Sequence, residues 1–230
     1  GDGGTGVACP TCAPVTGAVP SVAFEQPGGR GWRAYWRTFG AALRLPTTLF
    51  QAFPYAPAGR ATWFAWLTLA PYFAVPSCCA GGGLAIFAAV EGGPEGTLAR
   101  DPDVPFGLIA GLVVGAPWLI WGLAPLLLAT SATLYHVIAR GCGARVPWSA
   151  TYRAVCYLTP IQLTALPAIV ALYVVTCGYG GQLLGMAAEA AWMAAAMHAY
   201  ARRVCGLSSG RALLVALGPI AMSVACACGL

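Results

Sequence analysis

Four long, mainly apolar stretches of the chain carry no charged side chain, at 61–90, 104–139, 154–188 and 212–230. A helix needs about 20 mainly apolar residues to cross the hydrocarbon core of a bilayer. The first two stretches, of 30 and 36 residues, each hold one such helix with its ends. The third continues past Glu189 to Tyr200, giving 47 residues with a single charge. Gly-Tyr-Gly-Gly at 178–181 interrupts it near the middle, and glycine clusters punctuate turns. A tight helical hairpin follows, with spans at about 155–177 and about 182–201. The last stretch is long enough for a fifth span. Pro71, Pro76, Pro117, Pro125, Pro160, Pro167 and Pro219 all fall inside these spans. Each frees a backbone carbonyl that a neighbouring group must satisfy.

The arginines orient this pattern. Arg30, Arg33, Arg37, Arg44 and Arg60 precede the first span; Arg140, Arg145 and Arg153 separate the second from the third. Arg202, Arg203 and Arg211 separate the fourth from the fifth, and only Arg100 lies elsewhere, in a loop with Glu91, Glu95, Asp101 and Asp103. With five spans, eleven of the twelve arginines share one side. The positive-inside rule makes that side cytoplasmic. The expected fold is an all-α membrane protein of five transmembrane helices, N-terminus cytoplasmic and C-terminus outside, preceded by an amphipathic surface helix. Its parts are a flexible cytoplasmic tail at 1–30, a juxtamembrane segment at 31–60 and a transmembrane domain at 61–230. No basic start and apolar run of a signal peptide occurs in the first 20 residues.

Composition agrees. The chain is 59% hydrophobic and 8% charged, where a soluble domain carries about 25% charged residues. That excludes a soluble globular enzyme, a disordered tail and a nucleic-acid-binding domain. The expected location is a membrane, multi-pass.

Within 31–45, Trp32, Trp36, Phe39 and Leu43 recur at i, i+4, i+7 and i+11. They form one narrow stripe on a helix. Arg33, Arg37 and Arg44 fall on an adjacent flank, and Pro46 ends the pattern. This predicts a helix lying on the cytoplasmic membrane surface, each Arg contributing about 1 kcal/mol at anionic headgroups. The competing arrangement packs the same stripe on the bundle.

Cys9 and Cys12 form a CxxC knuckle in the tail. Two such thiolates can hold half of a zinc site. Three readings stay open: half of a ribbon completed upstream, a site completed across a dimer, or an idle pair. The other eight cysteines lie in or near spans, where Cys packs as a small hydrophobe. Glu189 is the acid placed inside a span, among alanines. An ionisable group at that depth is either a proton or cation site or a protonated, hydrogen-bonded packing residue. His136 and His198, each one turn before an Arg, are expected at the membrane interface. Gly206-Leu-Ser208-Ser-Gly210 matches GxSxG but lacks the strand-to-helix setting and any following His. Ser208 and Ser209 instead suit the cap of the last helix. No HExxH is present.

Three stretches carry a family resemblance: Trp32–Leu49 (WRAYWRTFGAALRLPTTL), Thr151–Pro167 (TYRAVCYLTPIQLTALP) and Ala201–Pro219 (ARRVCGLSSGRALLVALGP). With the five-span topology, they resemble the prokaryotic branch of the Yip1-domain family over residues 32–230. The tail, with Cys-Pro-Thr-Cys and then Val-Ala-Phe-Glu at 22–25, is similar to cysteine-knuckle extensions ahead of some bacterial Yip1 domains. The resemblance implies a non-enzymatic membrane protein with a scaffolding or membrane-organising role, partnered by the bilayer and by copies of itself or other membrane proteins. It implies no catalytic residue. It also implies a bacterial inner (plasma) membrane as the location, and the long N-terminal domain of eukaryotic members, which associate with Rab GTPases, is not expected here. The alternative is a small transporter or channel subunit using Glu189.

Overall fold

The computed structural model describes residues 22–26, 31–44, 49–50, 53, 58–91, 106–175 and 179–227. Among them the regular elements are helical and there is no strand. A 3-10 turn at Ala23–Glu25 comes first. Then follow α1 (Trp32–Arg44), α2 (Gly59–Glu91), α3 (Phe106–Gly141), α4 (Trp148–Tyr157), α5 (Thr159–Val175), α6 (Tyr179–Arg203) and α7 (Ser209–Ala227). Two stretches among the described residues are long and apolar enough to cross a membrane by length and composition, Gly115–Gly141 and Trp148–Leu172. The second runs through the α4–α5 junction. Cys9, Cys12 and residues 176–178, which include the first glycine of the 178–181 cluster, lie outside the described residues.

Two compact units divide the chain, one of Gly1–Ala65 with Leu128–Leu230, the other Trp66–Leu127. In the smaller unit, α2 and α3 meet through Trp66 and Trp121. Their indoles stack with centroids 4.1 Å apart and planes 4° from parallel. Each ring N–H donates to the other residue's backbone carbonyl, Trp66 Nε1 to Trp121 O at 3.2 Å and Trp121 Nε1 to Trp66 O at 3.1 Å. Trp121 lies four residues before Pro125, which has no N–H to offer its carbonyl. The Trp66 indole fills that vacancy.

The larger unit is a helical hairpin and its neighbours. α5 packs on α6, and α6 on α7. Glycine permits the closest approaches: a Cβ at Gly185 of α6 would stand 2.6 Å from Ile169 Cγ1 and 3.1 Å from its Cα, on α5. A Cβ at Gly218 of α7 would stand 2.8 Å from Ile138 Cδ1, on α3. Small residues at such crossings let backbones approach and gain dispersion contact. α3 ends where Gly143 turns left-handed (φ 96°), with Ala144 N bonded back to Ala139 O at 2.9 Å. α6 ends the same way at Gly206 (φ 66°), with Leu207 N bonded to Ala201 O at 3.1 Å. Both are glycine caps that satisfy last-turn carbonyls. α7 begins at Ser209. The break at Leu158 between α4 and α5 follows from Pro160, which deprives Cys156 of its helical donor. The Thr159 hydroxyl donates to that carbonyl at 2.9 Å.

Every residue of α4 from Ala150 to Tyr157 is buried. It forms the core of the unit with Phe64, Phe50, Tyr200 and Leu158. α1 packs across α4 and α5.

Candidate functional site

A buried polar arrangement in the larger unit sits where Val22–Gln26 meets α4. Arg153 is fully buried, and Glu25 is 8% exposed. A guanidinium there needs a partner, because an unpaired buried charge is strongly disfavoured. Glu25 supplies it: Arg153 Nε donates to Glu25 Oε1 at 2.9 Å, and Arg153 Nη2 is paired with Oε2. This two-point fork matches guanidinium and carboxylate geometry. Tyr157, one turn on from Arg153, donates its hydroxyl to Glu25 Oε1 at 2.9 Å. Phe53 lies against the guanidinium, 4.4 Å from Cζ to ring centroid, adding a cation–π contact.

The backbone of the turn is held as well. Arg60, in the first turn of α2, donates to Glu25 O at 2.7 Å and Gln26 O at 3.3 Å. Phe24 N donates to Thr38 Oγ1 on α1 at 3.0 Å. The Phe24 ring meets Phe64 edge-on at 5.4 Å. Tyr157 and Tyr35 both lie against Phe64, at 5.2 Å each. Thus α1, α2 and α4 converge on five residues of chain that sequence reasoning assigned to a flexible tail.

Neither member of the pair was a candidate from sequence. Arg153 reads as one more positive-inside charge, and Glu25 as a tail acid. They stand 128 residues apart, beyond the reach of any local pattern. The available signal is Val-Ala-Phe-Glu itself, an acid closing an apolar run.

The α1 residues lie on three faces. Tyr35, Thr38 and Ala42 are buried against the unit. Trp32 and Trp36 are 71% and 46% exposed, and Phe39 and Leu43 half-buried between the two. Arg33, Arg37 and Arg44 are exposed about a quarter turn further round. The Trp stripe is therefore not the packing face; a neighbouring stripe is. Trp32 and Trp36 pack edge-on at 5.1 Å.

Glu189 lies one turn beyond Gly185 on α6 and is half-buried. It shares a helix face with Gly181 and Gly185. His136 Nδ1 lies 3.2 Å from Thr151 Oγ1, which is itself 2.9 Å from the Tyr200 hydroxyl. His198 Nε2 lies 3.4 Å from Ser209 Oγ. Among the described residues no cluster of His, Cys, Asp and Glu could hold a metal ion. No protein-family model, curated protein or solved structure matches the chain.

Proposed function

We propose that this is a non-enzymatic, multi-pass membrane protein of the Yip1 type in a bacterial inner membrane, acting as a scaffold at the cytoplasmic face. Five spans present small-residue helix faces for association with copies of itself or other membrane proteins. α1 lies in the interface and organises lipid. The observation that carries this reading is the division of α1 into three faces. A helix docked by Tyr35, Thr38 and Ala42 has no packing use for exposed Trp32 and Trp36. Large aromatic rings beside a row of arginines suit the headgroup boundary. Exposed Val170, Val174, Leu183, Leu184, Leu213 and Leu214 on α5, α6 and α7 suit a lipid surround, where large apolar side chains need no protein cover.

Hydrogen exchange of residues 31–44 in nanodiscs tests the reading. Exchange is slower in anionic than in neutral lipid, and Arg33→Gln/Arg37→Gln/Arg44→Gln removes the difference. Exchange indifferent to lipid charge in the wild type would defeat the assignment of α1 to the bilayer surface.

A second reading, a small transporter or channel subunit, is favoured by Glu189, half-buried on the same face as Gly181 and Gly185.

A further inference from the structure

Val22–Gln26 is held the way proteins hold a separate peptide. A three-residue 3-10 turn has no stability of its own, since a single turn fixes several dihedrals for one hydrogen bond. Its polar anchors come from other elements: Thr38 from α1, Arg60 from α2, Arg153 and Tyr157 from α4. Two of these read backbone, which any peptide offers. Arg60 takes the carbonyls of Glu25 and Gln26, and Thr38 takes the N–H of Phe24. The others read side chains. Arg153 and Tyr157 take both carboxylate oxygens of Glu25, and Phe64 takes the Phe24 ring.

The receiving groups are also positioned by contacts other than the turn. Phe53 covers the Arg153 guanidinium at 4.4 Å. The Tyr157 ring rests on Phe64 at 5.2 Å and meets Phe53 edge-on at 6.4 Å.

We propose that Thr38, Arg60, Arg153 and Tyr157 form a peptide-binding site for a Phe-Glu turn, and that Val22–Gln26 of this protein is its exchangeable built-in ligand. The chemistry sets the specificity. Gln in place of Glu loses the charge and one acceptor oxygen, and Asp is one methylene too short to reach the same fork. Because Thr38 lies on the buried face of α1, release of the turn removes one tie between α1 and the rest of the unit. The site stands whether or not α1 lies on lipid.

The test cuts the full chain at a protease site inserted within residues 27–30, after purification in detergent. Fragment 1–26 is expected to stay with the body on a sizing column. Excess Val-Ala-Phe-Glu-Gln peptide displaces it, and peptides with Gln or Asp for Glu need about tenfold or more higher concentration, as loss of a charge-assisted fork requires. A fragment that separates on cutting, one that no peptide displaces, or one displaced equally by all three peptides overturns the proposal. A second arm uses the uncut chain. Labelled peptide binds Phe24→Ala/Glu25→Ala protein, fails to bind wild type whose site is filled, and fails again when Arg153→Met is added. Equal binding to all three proteins, or none to a folded double variant, overturns it. If the double variant does not fold, the cut protein decides alone.

Discussion

Removing the Glu25 carboxylate by itself takes the ion-pair partner from Arg153, whose side chain has no exposed surface. Breaking a buried pair from one side costs about 3–5 kcal/mol, whereas replacing both partners by apolar residues of similar volume is often near neutral. Glu25→Ala is therefore expected to lower the unfolding free energy in detergent by about 3–5 kcal/mol. Glu25→Leu/Arg153→Met should recover most of that loss. Equal losses in the single and double variants would mean that packing of the turn, not the charge, holds it. Cys205 makes a different residue-scale prediction. Burial pushes its thiol up to about 11, opposed by a hydrogen bond from Tyr200. Only the thiolate attacks an alkylating agent. At pH 8 Cys205 should react slowly with N-ethylmaleimide, and its rate should climb about tenfold per pH unit until near the raised value. A rate by site-resolved mass spectrometry that levels off below pH 9 would contradict this. At this scale the sequence is least informative. Arg153 and Arg145 look alike as letters ahead of a span, yet one is fully buried and the other exposed; the buried one meets a carboxylate 128 residues away and the Phe53 ring.

Elements are far more legible than their side-chain partners. Glycine punctuates the chain where α3 and α6 end, at Gly143 and Gly206, while Tyr179, Gly180 and Gly181 of the expected turn open α6 instead. Two of the carbonyls that prolines free are met by other donors, the Trp66 indole for Pro125 and the Thr159 hydroxyl for Pro160. Periodicity misses which stripe of α1 packs. Tyr35, Thr38 and Ala42 are less apolar than the Trp stripe, and they are buried because they fit against the Glu25 turn and Phe64. The helix crossing at Gly185 gives the element-scale prediction. A methyl there meets Ile169, including its backbone Cα, so α5 and α6 must separate. Gly185→Ala should destabilise by about 1–3 kcal/mol, the usual cost of overpacking. Gly180→Ala is the matched control. Nothing lies within 4 Å of its Cβ, and Ala is the better helix former by about 1 kcal/mol. Thermal unfolding that ranks Gly180→Ala below Gly185→Ala would refute close packing at this crossing.

For the whole molecule, scaffold and transporter make opposite demands on one side chain. Charge-poor stretches of span length are legible in composition alone, and Gly115–Gly141 and Trp148–Leu172 meet the requirement by length and apolarity. What a bundle of such helices does is not written in that pattern, because lipid-facing apolar residues look the same around a passive scaffold and around a pore. Glu189 distinguishes them. A transporter needs a carboxylate that gains and loses a proton or cation as the site changes exposure, and Gln cannot do either. A scaffold needs only shape there, and Gln preserves it. On the scaffold reading, Glu189→Gln protein captures the same co-purifying membrane proteins from native membranes as the wild type. In proteoliposomes neither form then moves protons or cations along an imposed gradient. Wild-type flux that Glu189→Gln abolishes, with the fold intact by thermal unfolding, would transfer the assignment to the transporter. The scaffold predicts a complementary loss: Arg33→Gln/Arg37→Gln/Arg44→Gln weakens anionic-lipid retention while leaving Glu189 and its surroundings unchanged. The charged face of α1 contributes about 1 kcal/mol per Arg near an anionic surface. On that reading three of them add to the docking of the helix through Tyr35, Thr38 and Ala42.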